Sequence, residues 1–149
     1  MSKKPDLTRI ELIKLIAIST NPLKLRGVNL CGIDLSYLSL KGADLTRATL
    51  TETNLKGTFL REAILINADL TNANLTNANL RTANLTRADL TNANLTDANL
   101  TKANLTDAEL DGVDITGTCL TKTIVKGTFL ETAFIIDHEE DLTDLENYE

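Results

Sequence analysis

The residues with side chains suited to catalysis are few and lie far apart. The one histidine, His138, lies in an acidic terminal segment with no serine or cysteine nucleophile near it in the sequence. The aspartates recur with a sequence repeat, which indicates solvated outer or turn positions rather than a paired acid and base. No glycine-rich phosphate loop and no GGxGxD calcium motif is present. The sequence therefore predicts a non-enzymatic protein without catalytic residues, cofactor or metal.

The remaining reactive side chains are those of Cys31 and Cys119. Two widely separated thiols are too few for a metal cluster or a disulfide framework. We expect both cysteines to be free and to face outward, and the sequence leaves a redox role for either one open.

The formal charge of −6 is confined to the C-terminal segment. All 15 Lys and Arg residues and 15 of the 21 Asp and Glu residues fall within residues 1–137, so this part is balanced. A balanced body argues against direct nucleic-acid binding. No apolar run approaches the roughly 18 residues of a membrane span. Glu11 and Lys14 interrupt the N-terminal apolar stretch, unlike the core of a signal peptide, so we expect a cytoplasmic protein.

A five-residue repeat organises the sequence. A Leu, Ile or Val recurs at every fifth position from Leu25 to Ile135, and a second residue, most often Ala, lies two positions before it. A five-residue step would spread these leucines around an α-helix, whereas in an extended chain residues two apart share one face. The two residues left over in each unit must turn the chain. All seven glycines fall two positions after a central residue, as a corner with positive φ favours.

Units such as Ala43-Asp44-Leu45-Thr46-Arg47, the ANLTN of 73–77 and the ADLTN of 88–92 resemble the A-(D/N)-L-x-x signature of the pentapeptide-repeat family. This resemblance implies an all-β solenoid, a right-handed quadrilateral β-helix in which four pentapeptides form one 20-residue coil. About six coils would make a rod roughly 28 Å long. On such a rod, Cys31 and Cys119 would lie on opposite faces, too far apart for a disulfide.

An open β-helix needs caps at both ends, because free edges favour aggregation. Thr8 and Glu11 match a capping box, and an apolar stretch follows, so we expect a helix over about 8–19 covering the first coil. We predict one domain, 1–149, with an N-terminal helix cap at 1–22, the β-helix at 23–137 and an acidic C-terminal helix or tail at 138–149. A monomer or a dimer through the C-terminal end, near Phe129, Phe134 and Ile136, is expected.

Folding the sequence at 20 residues per coil separates the charges of the rod. One face would bear the acidic residues Asp69, Asp89, Glu109, Asp111 and Glu131. The opposite face would bear the basic residues Lys41, Arg61, Arg81, Lys102 and Lys122. A third candidate binding surface consists of apolar residues expected to be exposed around one corner: Phe59, Ile64 and Ile66.

Three functions compete on this evidence. The favoured one is a protein-binding scaffold that presents side chains on a rigid repeat surface to a partner of unknown identity. The alternative is the DNA-mimic role of family relatives that protect DNA gyrase from quinolones, which implies an extended acidic surface. The third is ice or carbohydrate binding by aligned threonines such as Thr76, Thr96 and Thr116, which stand among Asn and Lys residues.

Overall fold

The structure, a computed structural model, describes residues 4–131 and consists of one helix followed by parallel pairings with a fixed offset. Helix α1 spans Arg9–Ile18. From Lys24 onward, a bridging residue occurs every five positions and pairs in parallel with the residue 20 positions later, as in Asn84↔Asn104. Each strand is therefore a single bridging position, and four such positions complete one coil.

Four ladders of bridging residues define the four sides of the rod. Side 1 carries Lys24, Asp44, Ile64, Asn84, Asn104 and Ile124, and side 2 carries Asn29, Thr49, Asp69, Asp89 and Glu109. Side 3 carries Asp34, Asn54, Asn74, Asn94 and Asp114, and side 4 carries Ser39, Phe59, Asn79, Asn99 and Cys119. A two-residue turn joins each side to the next one.

In a unit with Asn before the leucine every backbone N–H has an acceptor, as residues 84–88 show. The amide of Asn84 donates to the coil before it, at Ala63 O, and the amides of Leu85 and Arg87 donate to the coil after it. Ala88 N–H closes the turn by donating to Leu85 O at 2.9 Å. The fifth donor, Thr86 N–H, reaches the side-chain Oδ1 of Asn84 at 3.1 Å. The asparagine before each leucine thus supplies an acceptor that the backbone lacks at this point.

The second turn residue has positive φ at every corner from Gly27 to Gly127. One positive φ at this position, with the turn-closing hydrogen bond, is the geometry of a type II turn. Asn, Gly and Asp fill many of these positions, but Glu52, Thr82 and Lys102 also adopt it. At Gly57 the requirement is also steric, because an added Cβ would lie 2.6 Å from the ring of Tyr37 one coil earlier.

The interior is a column of leucines and small residues. From Leu30 to Leu105 the central leucines are at most 1% exposed, and the alanines from Ala43 to Ala103 fill the space between them. Where threonine replaces alanine inside, its hydroxyl is satisfied, as in the bond from Thr53 Oγ1 to Leu30 O at 2.9 Å. The apolar column buries its surface from water without large aromatic side chains.

The N-terminal residues pack over the first coil. Thr8 and Glu11 form the expected capping box, and Leu12 on α1 is fully buried in the core. Asp6 donates its backbone N–H to Asn29 O and accepts Asn29 N–H on its carboxylate at 2.6 Å. Arg9 donates to the carbonyls of Asp34 and Ser36. These contacts satisfy polar groups at an edge where no earlier coil exists.

The observed helix agrees within one residue at each end with the expected range 8–19. The described residues end at Glu131, so the predicted last repeats and the acidic helix or tail at 138–149 lie outside them, as do Phe134 and Ile136. The division into these three segments stays a prediction.

A carboxylate in the leucine column should prevent folding. Leu85 is fully buried in mid-rod, where a charged group has no partner and its burial costs several kcal/mol. We expect Leu85→Asp to abolish the β circular dichroism signal and the solubility of the chain. The matched control, Asn84→Asp, keeps the acceptor for Thr86 N–H and should change the free energy of unfolding by no more than about 0.5 kcal/mol. A soluble, native-like Leu85→Asp variant would contradict this account of the core.

Deletion of residues 1–19 tests whether the N-terminal segment acts as a cap. Without Asp6, Arg9 and Leu12, the first coil exposes its polar edge and its apolar interior, which favours edge-to-edge association. We expect the shortened chain to form oligomers or precipitate in sedimentation experiments. A monomer with unchanged thermal stability would show that the cap assignment is wrong.

Candidate functional site

The predicted basic residues lie at one corner of the rod, between side 4 and side 1. Lys41, Arg61 and Arg81 are first turn residues on successive coils, and Lys102 and Lys122 are second turn residues on the next two. We call this row, together with Glu62, the basic corner. Neighbouring cations are about 4.8 Å apart along the rod axis, the spacing of paired strands. All five cationic side chains belong to exposed residues.

Ion pairing leaves most of the basic corner uncompensated. Arg61 Nε lies 3.0 Å from Glu62 Oε1, and both side chains are about half exposed. Within residues 4–131, the other four cations of the corner form no ion pair. A row of cations at this spacing repels itself, so an anionic group bound there would relieve the repulsion.

Four of the predicted acidic residues occupy side 2 and the corner that follows it. Asp69, Asp89 and Glu109 are consecutive rungs of one ladder, and Asp111 is a turn residue. Glu131 lies beyond the last rung of this ladder, in a helical turn at the end of the described residues. Asp69 and Asp89, which folding at 20 residues per coil places on an outer face of the rod, are half-buried rather than exposed. Each carboxylate accepts the backbone N–H two residues ahead, at Thr71 and Thr91, which draws it against the wall of the rod.

Asp69 has two opposing influences on its pKa. Burial raises the pKa, but hydrogen bonds from the hydroxyl and N–H of Thr71 and from the Thr51 hydroxyl outweigh it, so the pKa lies below its usual range. These hydrogen bonds hold the Asp69 carboxylate against the rod. It is therefore less available to a partner than the exposed residues Glu109, Asp111 and Glu131.

The predicted apolar surface is only partly as expected. Phe59 is 51% exposed on side 4, but Ile64 and Ile66 are half-buried. Phe59 and Ile64 flank the basic corner from its two sides, whereas Ile66 belongs to the next corner, between sides 1 and 2. The three residues therefore do not form one patch around a single corner, because a turn of the chain separates Ile66 from the other two.

Among the four ladders described, apolar bridging residues occur only on sides 4 and 1, which flank the basic corner. Side 3 has Asp or Asn at every rung, and side 2 replaces them with Thr49 and Glu109. The ladders of sides 4 and 1 include the apolar residues Phe59, Ile64 and Ile124. These side chains cannot accept the turn N–H as Asn84 does, so the rod gives up a local hydrogen bond there.

The two thiols differ in environment. Cys31 is half-buried and Cys119 is exposed, so the expectation of a surface thiol is fully met only at Cys119; neither thiol forms a disulfide among the described residues. Cys119 follows Asn99 in the ladder of side 4, so a thiol stands where the neighbouring coil has a side-chain amide. Hydrogen bonds from the Thr101 hydroxyl, then from the hydroxyl and N–H of Thr121, lower the pKa of the Cys119 thiol to about 7.

An open cavity lies at the N-terminal end of the basic corner. Its volume is about 390 Å³, and its lining includes the apolar residues Ile16, Pro22, Leu23 and Leu40 together with Lys41 and Glu62 of the basic corner. The end of α1 and the first two coils enclose it. Nothing in the repeat pattern predicts this cavity, because it arises where the helix segment joins the rod.

A further apolar surface on α1 was missed in the sequence. Ile10, Ile13 and Ile18 are 66%, 41% and 78% exposed, respectively, while Leu12, Leu15 and Ile16 pack toward the core. The stretch is apolar around most of the helix, so only one side of it can contact the coil. Among residues 4–131 there is no helix long and apolar enough to cross a membrane and no cluster of potential metal ligands.

The acidity of Cys119 is testable by alkylation. A pKa of about 7 means that roughly half of this thiol is ionised at neutral pH, so iodoacetamide should label it with a midpoint near that value. Thr101→Val removes the largest contribution and should move the midpoint upward, as measured residue by residue by mass spectrometry. The control is Thr91→Val, which changes the equivalent first turn residue between side 2 and side 3. An unchanged midpoint in Thr101→Val would contradict the assigned cause.

Comparisons with known proteins agree with this architecture. The family model for pentapeptide repeats matches eight copies, over residues 24–51, 43–81 and 83–122. A search of curated proteins returned no match. Among solved structures, the chain is similar to a pentapeptide repeat protein from the Arabidopsis thaliana thylakoid lumen. They share 33% identity over 76% of this chain and 77% of the other, with a TM-score of 0.69.

Two further structures extend the comparison. A pentapeptide repeat protein from Nostoc PCC 7120 is 34% identical over 68% of this chain and 83% of its own, with a TM-score of 0.50. The plasmid-mediated fluoroquinolone resistance protein QnrB1 is 18% identical over 70% and 63%, with a TM-score of 0.52, which shows a shared fold alone. The repeated units, the 20-residue pairing and these matches together lead to one conclusion: the chain belongs to the pentapeptide-repeat family and folds as its right-handed β-helix solenoid.

Proposed function

We propose that this protein is a non-enzymatic scaffold that binds a protein partner through the basic corner. The observation that carries this proposal is the row of cations without ion-pair partners, flanked by apolar rungs that depart from the Asn pattern. Local rules of a fold are most often broken where a surface has another task. These apolar rungs cost the rod a local hydrogen bond each, so folding alone does not favour them.

The partner expected from this surface has an acidic segment with an apolar side chain beside it. Lys41, Arg81, Lys102 and Lys122 offer charge along the rod axis, and Phe59 offers a half-exposed ring next to that line. Charge would speed association and orient the partner, while burial of the ring would slow dissociation. A cytoplasmic location is part of the same proposal.

The DNA-mimic alternative draws on the acidic residues of side 2. Asp69, Asp89 and Glu109 form a continuous run of three rungs, but Thr49 and Asn29 end it toward the N-terminus. Two of the three carboxylates are half-buried and already accept turn N–H groups. We therefore favour the basic corner over side 2 as the binding surface.

Matched charge reversals separate the two surfaces. The basic variant is Arg81→Glu with Lys102→Glu, and the acidic control is Asp89→Lys with Glu109→Lys. Arg61 is left intact because it pairs with Glu62. We expect a protein captured from the host extract by the immobilised wild-type rod to be lost with the basic variant and retained with the control. Its association rate should also depend on salt, since charged surfaces are screened.

Other results of this experiment would rule against the basic corner. Loss with the acidic control alone would move the binding surface to side 2, as the DNA-mimic alternative requires. Equal capture by both variants would show that the charges only solvate the rod, and Phe59 would become the residue to test. Circular dichroism must show that both variants are folded.

A further inference from the structure

We infer that the cavity at the N-terminal end of the basic corner binds a small zwitterion with an apolar side chain, namely an apolar α-amino acid. The cavity volume of about 390 Å³ falls in the range of small-molecule sites. Such sites combine apolar walls with a few polar groups that orient the ligand. This inference goes beyond the proposed function, because it concerns a free small molecule and needs no protein partner.

Two backbone carbonyls of residues that line the cavity, those of Ser39 and Lys41, have no hydrogen-bond donor within residues 4–131. One coil later, Arg61 O accepts the N–H of Gly42 at 2.8 Å, so carbonyls at this position point toward the preceding turn of the chain. For Lys41 that place is taken by Pro22, which lies beside Gly42 and has no N–H to donate. The first coil therefore leaves two acceptors open at the cavity, and later coils fill the equivalent ones with backbone donors.

The end of α1 adds negative potential to the cavity. The helix ends at Ile18, its C-cap Ser19 lines the cavity, and no basic residue lies in its last turn. Carbonyls at a helix C-terminus carry partial negative charge, which favours a cation nearby. Glu62 also belongs to the lining, and its pairing with Arg61 uses Oε1 and leaves Oε2 to accept. These acceptors together suit an ammonium group, which has three N–H donors.

The side chain of Lys41 requires that the ligand also carry an anion. This residue lines the cavity, is exposed and forms no ion pair in the part of the chain that the structure describes. An ammonium bound at the Lys41 carbonyl would stand close to the Lys41 ammonium, which is unfavourable for a ligand with positive charge alone. An α-amino acid carries a carboxylate next to its ammonium, and that carboxylate can pair with Lys41.

The rest of the lining selects an apolar side chain. Ile16, Pro22, Leu23 and Leu40 present apolar atoms to the cavity. A branched aliphatic side chain placed against them is removed from water, and this burial stabilises the complex. Glycine carries the same two charged groups without this contact, so we expect it to bind weakly.

Calorimetric titration of the full chain with related small molecules tests each contact separately. The probes are L-leucine, isocaproate, which lacks the ammonium, isoamylamine, which lacks the carboxylate, and glycine, which lacks the apolar side chain. We expect leucine to bind with a dissociation constant of about 1 mM. Each of the other probes should bind about ten-fold more weakly, because each forfeits one of the contacts.

Matched substitutions locate the ligand. Lys41→Gln removes the side-chain cation and should weaken leucine binding about ten-fold without weakening isoamylamine. The control, Lys56→Gln, changes a Lys-Gly corner between sides 3 and 4 and should leave leucine binding unaltered. Thr20→Trp fills the cavity from an exposed lining residue and should abolish binding, whereas Thr116→Trp, exposed at another corner, should not. Circular dichroism must report the same fold for each variant.

Several outcomes would overturn the inference. The cavity is not an amino-acid site if leucine gives no binding heat up to about 50 mM. Isocaproate or isoamylamine that binds as tightly as leucine would mean that one charge of the zwitterion is not recognised. Binding retained in Thr20→Trp would place the ligand outside the cavity. The partner-capture experiment changes Arg81 and Lys102 and leaves Lys41 intact, so the failure of either proposal leaves the other standing.

Discussion

The constraint on which this rod depends is that the backbone N–H groups need acceptors although the chain turns every five residues. Two N–H groups per unit reach the following coil, one reaches the preceding coil, and one closes the turn. The fifth, on the first turn residue, has no backbone acceptor, and where the residue two positions earlier is Asn or Asp its side chain accepts this N–H. The Asn or Asp of the repeat therefore stabilises the corner, and units with Phe or Ile at that position do without this bond.

The different roles of the five repeat positions determine which of them tolerate substitution. The central leucine and the small residue before it face a closed interior, where a change of volume or charge is costly. The second turn residue must tolerate positive φ, and its N–H bond to the next coil offsets part of that strain even for Thr82. The first turn residue carries no such demand, which is why Lys41, Arg61 and Arg81 can place charge there without disturbing the coil.

Much of this architecture could be predicted from the sequence. The parts that could not be predicted have a common physical cause. The leucine period located the core, the glycines located the corners, and Thr8 with Glu11 located the start of α1. The period also placed the cations from Lys41 to Lys122 on one line. It could not give the depth of Asp69 and Asp89, because an outward register does not reveal that turn amides draw the carboxylates inward. The recurrence of Asn or Asp two positions before Thr was the available signal.

The features that the repeat does not predict are those where the chain departs from it. The cavity and the exposed isoleucines of α1 arise at the junction between helix and coil, where no periodicity applies. Phe59 and Ile64 break the pattern inside the rod, and Cys119 replaces an amide acceptor with a thiol whose pKa is about 7 because its neighbours still donate to that rung. Side 3 keeps Asp or Asn throughout and so keeps an acceptor for the turn N–H at every rung. Sides 4 and 1 differ from it next to an uncompensated row of cations, and this coincidence is the physical reason to seek the binding surface there.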